Sequence, residues 1–182
     1  MIVTYNDKNI TNGEFMTKDE TQSQPIITYN VKSKSNTLYA LIMYDPNAVS
    51  NTHNHLHWVV INIPGNKIDS GKKLFEYKGP NPPSGSGIHH YIFEILEQKS
   101  EITLLPFLEN ERTLSMKELY KRLNLEKENS IYTIFFCVNS QKRGKNKKQR
   151  KTRKTRKTRK TRKTRKQEKQ EKQEKIRKNK KK

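Results

Sequence analysis

At 182 residues the chain holds one domain of ordinary size and a remainder. Its formal net charge of +21 is not spread evenly: residues 142–182 carry 25 Lys and Arg against 3 Glu, and residues 1–141 carry 14 basic against 15 acidic side chains. The body is electrostatically ordinary, which excludes a polyanion binder built on a basic domain, and almost all the positive charge is appended.

In chain order, the opening MIVTYNDKN has neither the basic start nor the apolar run of a secretory leader. No segment approaches the ~20 apolar residues needed to span a bilayer. A soluble, intracellular, cytoplasmic protein is expected. Thr17 and Glu20 in TKDE form a weak capping-box pattern. The stretches 26–30, 38–44, 57–63, 91–96 and 131–138 read as strands, apolar runs bounded by turn residues. Between the third and fourth, GPNPPSGSG (79–87) is a loop, because three prolines remove amide donors and fix φ. Ser115 and Glu118 form a capping box for a helix over SMKELYKRL, with Met116, Leu119 and Leu123 on one face. The single cysteine, Cys137, excludes an intramolecular disulfide and reads as a small core residue of the last strand. From residue 141 the character changes. RKT occurs five times from Arg150 to Thr164, KQE follows three times to Glu174, and no apolar residue stands between Gly144 and Ile176. Like charges at this density repel, so residues 142–182 are expected to be a disordered tail on a mainly β domain, 1–141, with a few short helices.

Three of the five histidines alternate in HNHLHW, His53 to Trp58, and His89 and His90 follow in SGIHHYIF. On a straight strand His53, His55 and His57 share a face with Val59, Ile61 and Ile63. Zinc is the sharpest reading of this pattern, but His53 and His57 then stand ~13 Å apart, and a structural zinc wants four ligands, commonly including cysteines. No metal and no cofactor are expected. His53 and His55 read as exposed loop residues; His57 enters the apolar run and needs a polar reason to be there. His89 and Tyr91 point one way and His90 the other. If their strand adjoins that of His57, two imidazoles and a phenol converge beside the proline-glycine loop. Asp45, ending LYALIMYD, is then placed to orient one imidazole, and the group forms a small anion pocket. No serine or cysteine nucleophile accompanies these histidines, so an enzyme is not expected.

DPNAVSNTHNHLHWVVINIPG and YKGPNPPSGSGIHHYIF together resemble the two signature regions of the phosphatidylethanolamine-binding protein family, also called Raf kinase inhibitor proteins. VTYND, MTKDETQSQPIITY and MKELYKRLNL with YTIFFCV resemble the family's opening strand, its segment before the first sheet, and its final helix and strand. The resemblance implies a β-sandwich with short peripheral helices and a shallow pocket for phosphate-like groups. Asp45 matches the first aspartate of DPDAP, His57 the pocket histidine, and His89 and Tyr91 the HRY motif. Gly79, Pro80, Pro82 and Pro83 match the loop at the pocket rim. The chain departs from the pattern at Asn47 for aspartate, Val49 for proline, Asn51 for arginine and His90 for arginine.

The resemblance implies a non-enzymatic binding or regulatory protein. Its partners are a phosphate-bearing small ligand, a phospholipid headgroup or a phosphorylated protein. The rival expectation is a nucleic-acid-associated protein acting through its tail, with the body as adaptor. The tail, a fit for a nuclear-localisation signal, has no aromatic residue to stack on bases. Its attraction to nucleic acid or to an anionic membrane surface is therefore expected to be electrostatic and non-specific.

Overall fold

The structure is a computed structural model that describes residues 1–31, 36–50, 53–103 and 111–140. Asn51 and the tail from residue 142 lie outside the described residues. The strands are β1 (Ile2–Tyr5), β2 (Lys8–Asn9), β3 (Glu14–Met16), β4 (Ile26–Thr28), β5 (Leu38–Ser50), β6 (His53–Pro64), β7 (Lys72–Phe75), β8 (Ile88–Glu97), β9 (Thr113–Leu114) and β10 (Ser130–Asn139). One α-helix, α1 (Met116–Arg122), accompanies short 3₁₀ turns at Asp19–Thr21, Ile68–Ser70 and Lys127–Asn129. This is the mainly β architecture expected. Among the described residues no helix is long and apolar enough to cross a membrane.

The large sheet runs β3-β10-β8-β5-β6-β7, with β9 on the outer end of β6, and a small sheet runs β2-β1-β4. The run LYALIM in β5 is apolar at every position because both of its faces are covered. Tyr39, Leu41 and Met43 meet Val3, Tyr5 and Ile27 of the small sheet. Ala40 and Ile42 meet Leu119 of α1 with Leu123 and Leu125 just beyond it. The small sheet starts from a hairpin whose two turn residues, Asn6 (φ 47°) and Asp7 (φ 63°), are types that tolerate left-handed backbone. The sequence also hid β2, β3, β7 and β9, which are two to four residues long and held by their partners more than by propensity.

Both capping patterns form. The Ser115 side chain accepts from the Glu118 amide at 3.1 Å, while the Glu118 carboxylate turns to Arg122 rather than back to the cap. At Thr17 the box closes reciprocally: the Thr17 amide donates to Glu20 Oε2 at 2.7 Å and the Glu20 amide to Thr17 Oγ1 at 3.3 Å. Cys137 is buried and its thiol is pushed up by burial, as a core residue should be.

Strand β6 does not alternate as a straight strand. Met43 opposes Trp58 but Tyr44 opposes Leu56, so His57 is an extra residue in β6. Tyr39 opposes Ile63 and Leu41 opposes Val60, so a second residue is inserted there, where Asn62 takes φ 55°. These two bulges overturn the shared face expected for His57, Val59, Ile61 and Ile63: Val59 and Ile61 face α1, whereas Ile63 faces the small sheet. Removing the α1 cap by Ser115→Ala is expected to lower stability by about 1 kcal/mol, seen as a lower urea midpoint with an unchanged slope.

Candidate functional site

Strand β5 supplies the centre of the site. Asp45 is 2% exposed, and an ionised carboxylate can be buried only if its oxygens are met by donors. Oδ1 accepts from the Asn47 amide at 2.8 Å, an Asx turn that ends the apolar run. Oδ2 accepts from His89 Nδ1 at 2.7 Å. Burial first, and then the charge of Asp45, push the Tyr91 phenol well above its ordinary range. His89 and Tyr91 share a face of β8, as strand alternation requires, and both are buried.

His57 reaches this cluster from the other side of β5. The strands of His57 and His89 do not adjoin, as the convergence had required; β5 stands between β6 and β8. The bulge turns the His57 ring edge-on to Tyr91, with centroids 5.0 Å apart. The ring is fixed by one residue of the rim loop. Lys78 gives its amide to the His57 carbonyl at 2.8 Å and accepts from His57 Nδ1 at 2.6 Å on its own carbonyl. A carbonyl only accepts, so Nδ1 carries the proton and Nε2 of the neutral ring is bare. Burial holds this imidazole down to about 4, against the opposing pull of the Lys78 carbonyl.

The rim loop is seated by contacts that local sequence does not reveal. A Cβ on Gly79 would stand 2.9 Å from both Gln22 Cα and the Thr21 carbonyl oxygen, so only glycine lets the loop lie on the Asp19–Thr21 turn. Gln22 donates to the buried Pro80's carbonyl at 2.9 Å, and the Tyr77 hydroxyl to the Thr21 carbonyl at 2.7 Å. Pro82 is half-buried and Pro83 exposed. Pro83–Ser86 is a type II turn: the Ser86 amide donates to the Pro83 carbonyl at 3.1 Å, with Gly85 at φ 82°. The turn sets Ser86 Oγ 2.8 Å from His89 Nε2 and 2.6 Å from the Pro83 carbonyl.

Four positions were missed or misread. His55 does not lie in a loop: it is half-buried on β6, edge-on to His57 at 4.9 Å, and held down by burial and then by Lys78 and Arg112. Arg112 donates to the Leu56, His57 and Glu76 carbonyls, tying the bulge to the segment before β9. Asn47 and His90, both departures from the family pattern, touch each other: Asn47 Oδ1 accepts from the His90 amide at 3.0 Å and its Nδ1 at 2.8 Å. Only Asn47 carried a local signal, in the turn-forming DPN. His53 is exposed, and no cluster of three His, Cys, Asp or Glu able to hold a metal occurs among the described residues.

The family model for phosphatidylethanolamine-binding protein matches residues 6–135. The chain belongs to the phosphatidylethanolamine-binding protein family. Its relatives include MOTHER of FT and TFL1 homolog 2 of Oryza sativa subsp. japonica, 37% identical over 105 residues, which are 55% of this chain and 58% of the relative. TERMINAL FLOWER 1 of Arabidopsis thaliana is 31% identical over 111 residues, 58% of this chain and 61% of the relative. The chain thus spans less than two thirds of the length of these curated relatives. Among solved structures, the carboxypeptidase Y inhibitor complexed with its cognate proteinase gives a TM-score of 0.62 at 20% identity, covering 77% of this chain and 82% of that one. The phosphatidylethanolamine-binding protein of Plasmodium vivax gives 0.59 at 18% identity, covering 75% and 83%. These two likenesses bear on the fold alone. Family membership suggests a binding or regulatory role.

The buried His57 makes stability depend on pH. An unfolded imidazole takes its proton near 6.5 and the folded one near 4, so the unfolded chain holds the extra proton between those values. Stability from this group is therefore complete above about pH 7 and falls as pH drops to about 4, by roughly 3 kcal/mol. His57→Asn is expected to flatten that part of the profile in urea midpoints measured across the window.

Proposed function

We propose that this protein is a non-enzymatic binding protein whose body takes a small phosphate-type anion, borne by a phospholipid headgroup or a phosphorylated partner. The binding residues are Asp45, His57, His89 and Tyr91, with Gly79, Pro80, Pro82 and Pro83 as the rim. One observation carries the reading. Two imidazoles, a phenol and a carboxylate are gathered into an apolar fold where leucines would pack at lower cost, and one imidazole keeps a nitrogen without a protein partner among the described residues. Groups buried in this way are justified by what they bind. The serine that the motifs were expected to lack is present: Ser86 Oγ bonds His89 Nε2 while Asp45 holds Nδ1, the connectivity of a Ser-His-Asp triad, although Ser86 Oγ also lies 2.6 Å from the Pro83 carbonyl. The non-enzymatic reading is supported by the binding or regulatory role that family membership suggests.

Titrating the protein with inorganic phosphate, followed by amide chemical shifts, is expected to perturb residues around 45, 57 and 78–91. His57→Ala is expected to weaken binding roughly tenfold or more while the far-ultraviolet spectrum is unchanged, because the variant loses a hydrogen bond to a charged ligand. Equal affinity in the variant contradicts the assignment.

Charge partition supports a second function for residues 142–182, the adaptor reading. With a net of +22 on the tail and −1 on the body, binding to DNA, RNA or anionic vesicles resides in the tail. Logarithmic affinity for duplex DNA is expected to fall with logarithmic salt by about 0.9 per phosphate contact, with little sequence preference. Residues 1–141 alone should keep the phosphate site and lose polyanion binding. A body that still binds duplex DNA at physiological salt refutes the division.

A further inference from the structure

The four polar side chains of the site bring no net positive charge to it at neutral pH. Burial keeps the His57 ring neutral down to about 4, and burial likewise keeps the Tyr91 phenol protonated. His89 and Asp45 form a buried pair at 2.7 Å, whose charge sums to zero or to −1 according to the proton count of the ring. An anion taken from water into such surroundings loses solvation that neutral partners repay only in part. The attraction has to come from a cation at the rim.

Three of the basic side chains around the rim are already engaged. Arg112 turns both terminal nitrogens of its guanidinium to the Leu56, His57 and Glu76 carbonyls. Lys73 pairs with Glu76 at 3.3 Å, and Lys18 donates to Asn81 Oδ1 at 2.5 Å. Lys78 is different. Its main chain brackets His57, the amide donating to the His57 carbonyl at 2.8 Å and the carbonyl accepting from Nδ1 at 2.6 Å. The bracket pins the residue beside the ring and leaves its side chain exposed, with no hydrogen bond or ion pair to the ammonium among the described residues. That charge stands near enough to His55 and His57 to oppose the protonation of both.

We infer that Lys78 supplies the positive charge of the anion site, its ammonium pairing with the bound phosphate, and that the site therefore prefers a net-anionic phosphate ester to one carrying an ammonium group of its own. The inference rests on the anion-binding reading and deepens it, because it names the charge partner and the charge class of the ligand. A ligand ammonium held within a few ångströms of Lys78 meets a like charge, whereas an uncharged substituent of the same size does not. Exposure suits the role. An ammonium at the rim stays hydrated until the anion arrives, and its flexible four-carbon stem can follow the ligand.

The test uses the full chain and two phosphomonoesters of equal size, propyl phosphate and phosphoethanolamine, which differ by a methyl in place of the ammonium. About pH 7.5 is the working point, above the second ionisation of a phosphomonoester near 6. Binding is read on the amide shifts of residues 55–57 and 78–91, so that contacts with the basic tail are not counted. Propyl phosphate is expected to bind roughly fivefold tighter than phosphoethanolamine at low salt, and the gap should narrow as salt rises. Lys78→Met keeps the main-chain bracket and loses only the charge. It is expected to weaken propyl phosphate roughly tenfold and to bring the two probes together, while Lys78→Arg keeps the parent's order. Glycerophosphoglycerol and glycerophosphoethanolamine carry the same contrast on a phosphodiester. The order is expected to hold there, and the tighter-binding series tells a lipid headgroup from a phosphorylated partner. If Lys78→Met binds propyl phosphate as tightly as the parent, or the parent binds phosphoethanolamine as well as propyl phosphate, the inference is overturned and the anion site stands. If no probe binds the parent, the anion site itself is refuted and the inference goes with it.

Discussion

A carboxylate taken out of water is the constraint on which the rest of the site is built. Asp45 has almost no solvent contact, and an isolated buried charge would cost far more than one domain's stability allows. Its cost is offset by two donors from two strands, the amide two residues on and the His89 ring. Each donor serves the carboxylate in one orientation only. The pairing of β5 with β8, the Asx turn within β5 and the rotamer of His89 are thereby fixed together. Removing one partner leaves a buried charge uncompensated, which is why such clusters fail as units.

His57 is positioned by a different device. A regular β6 would send residue 57 to the face opposite Trp58; the bulge lets the ring lie against Tyr91 instead. Arg112 holds the bulge from outside, and Lys78 fixes the ring's tautomer from the loop. The loop is itself seated by Gly79 on the Asp19–Thr21 turn, so a segment more than fifty residues earlier in the chain decides where the rim lies. The site is thus supported from both sheet and loops, with the proton of His57 held on Nδ1 by the Lys78 carbonyl.

Two of the four departures from the family pattern touch each other: Asn47 in place of aspartate and His90 in place of arginine are hydrogen-bonded.

Composition and periodicity alone determined the mainly β class, the four long apolar strands and the short one at Ile26–Thr28, the capped helix and the concentration of charge after residue 141. Those are local properties: burial on both faces leaves an uninterrupted apolar run, and a capping box needs residues only three apart. The candidate residues Asp45, His57, His89 and Tyr91 were legible as polar groups at the ends of apolar runs, and the resemblance to a family named the same four. Their arrangement was not legible. That β5 lies between the two histidine strands, that His57 is a bulge residue and that His55 joins it are matters of strand order and register. So is the seating of Gly79 against Gln22. Register depends on which side chains fill the space between two sheets, and a one-residue insertion in β6 reverses every facing assignment made from alternation. Only the tertiary structure could decide it.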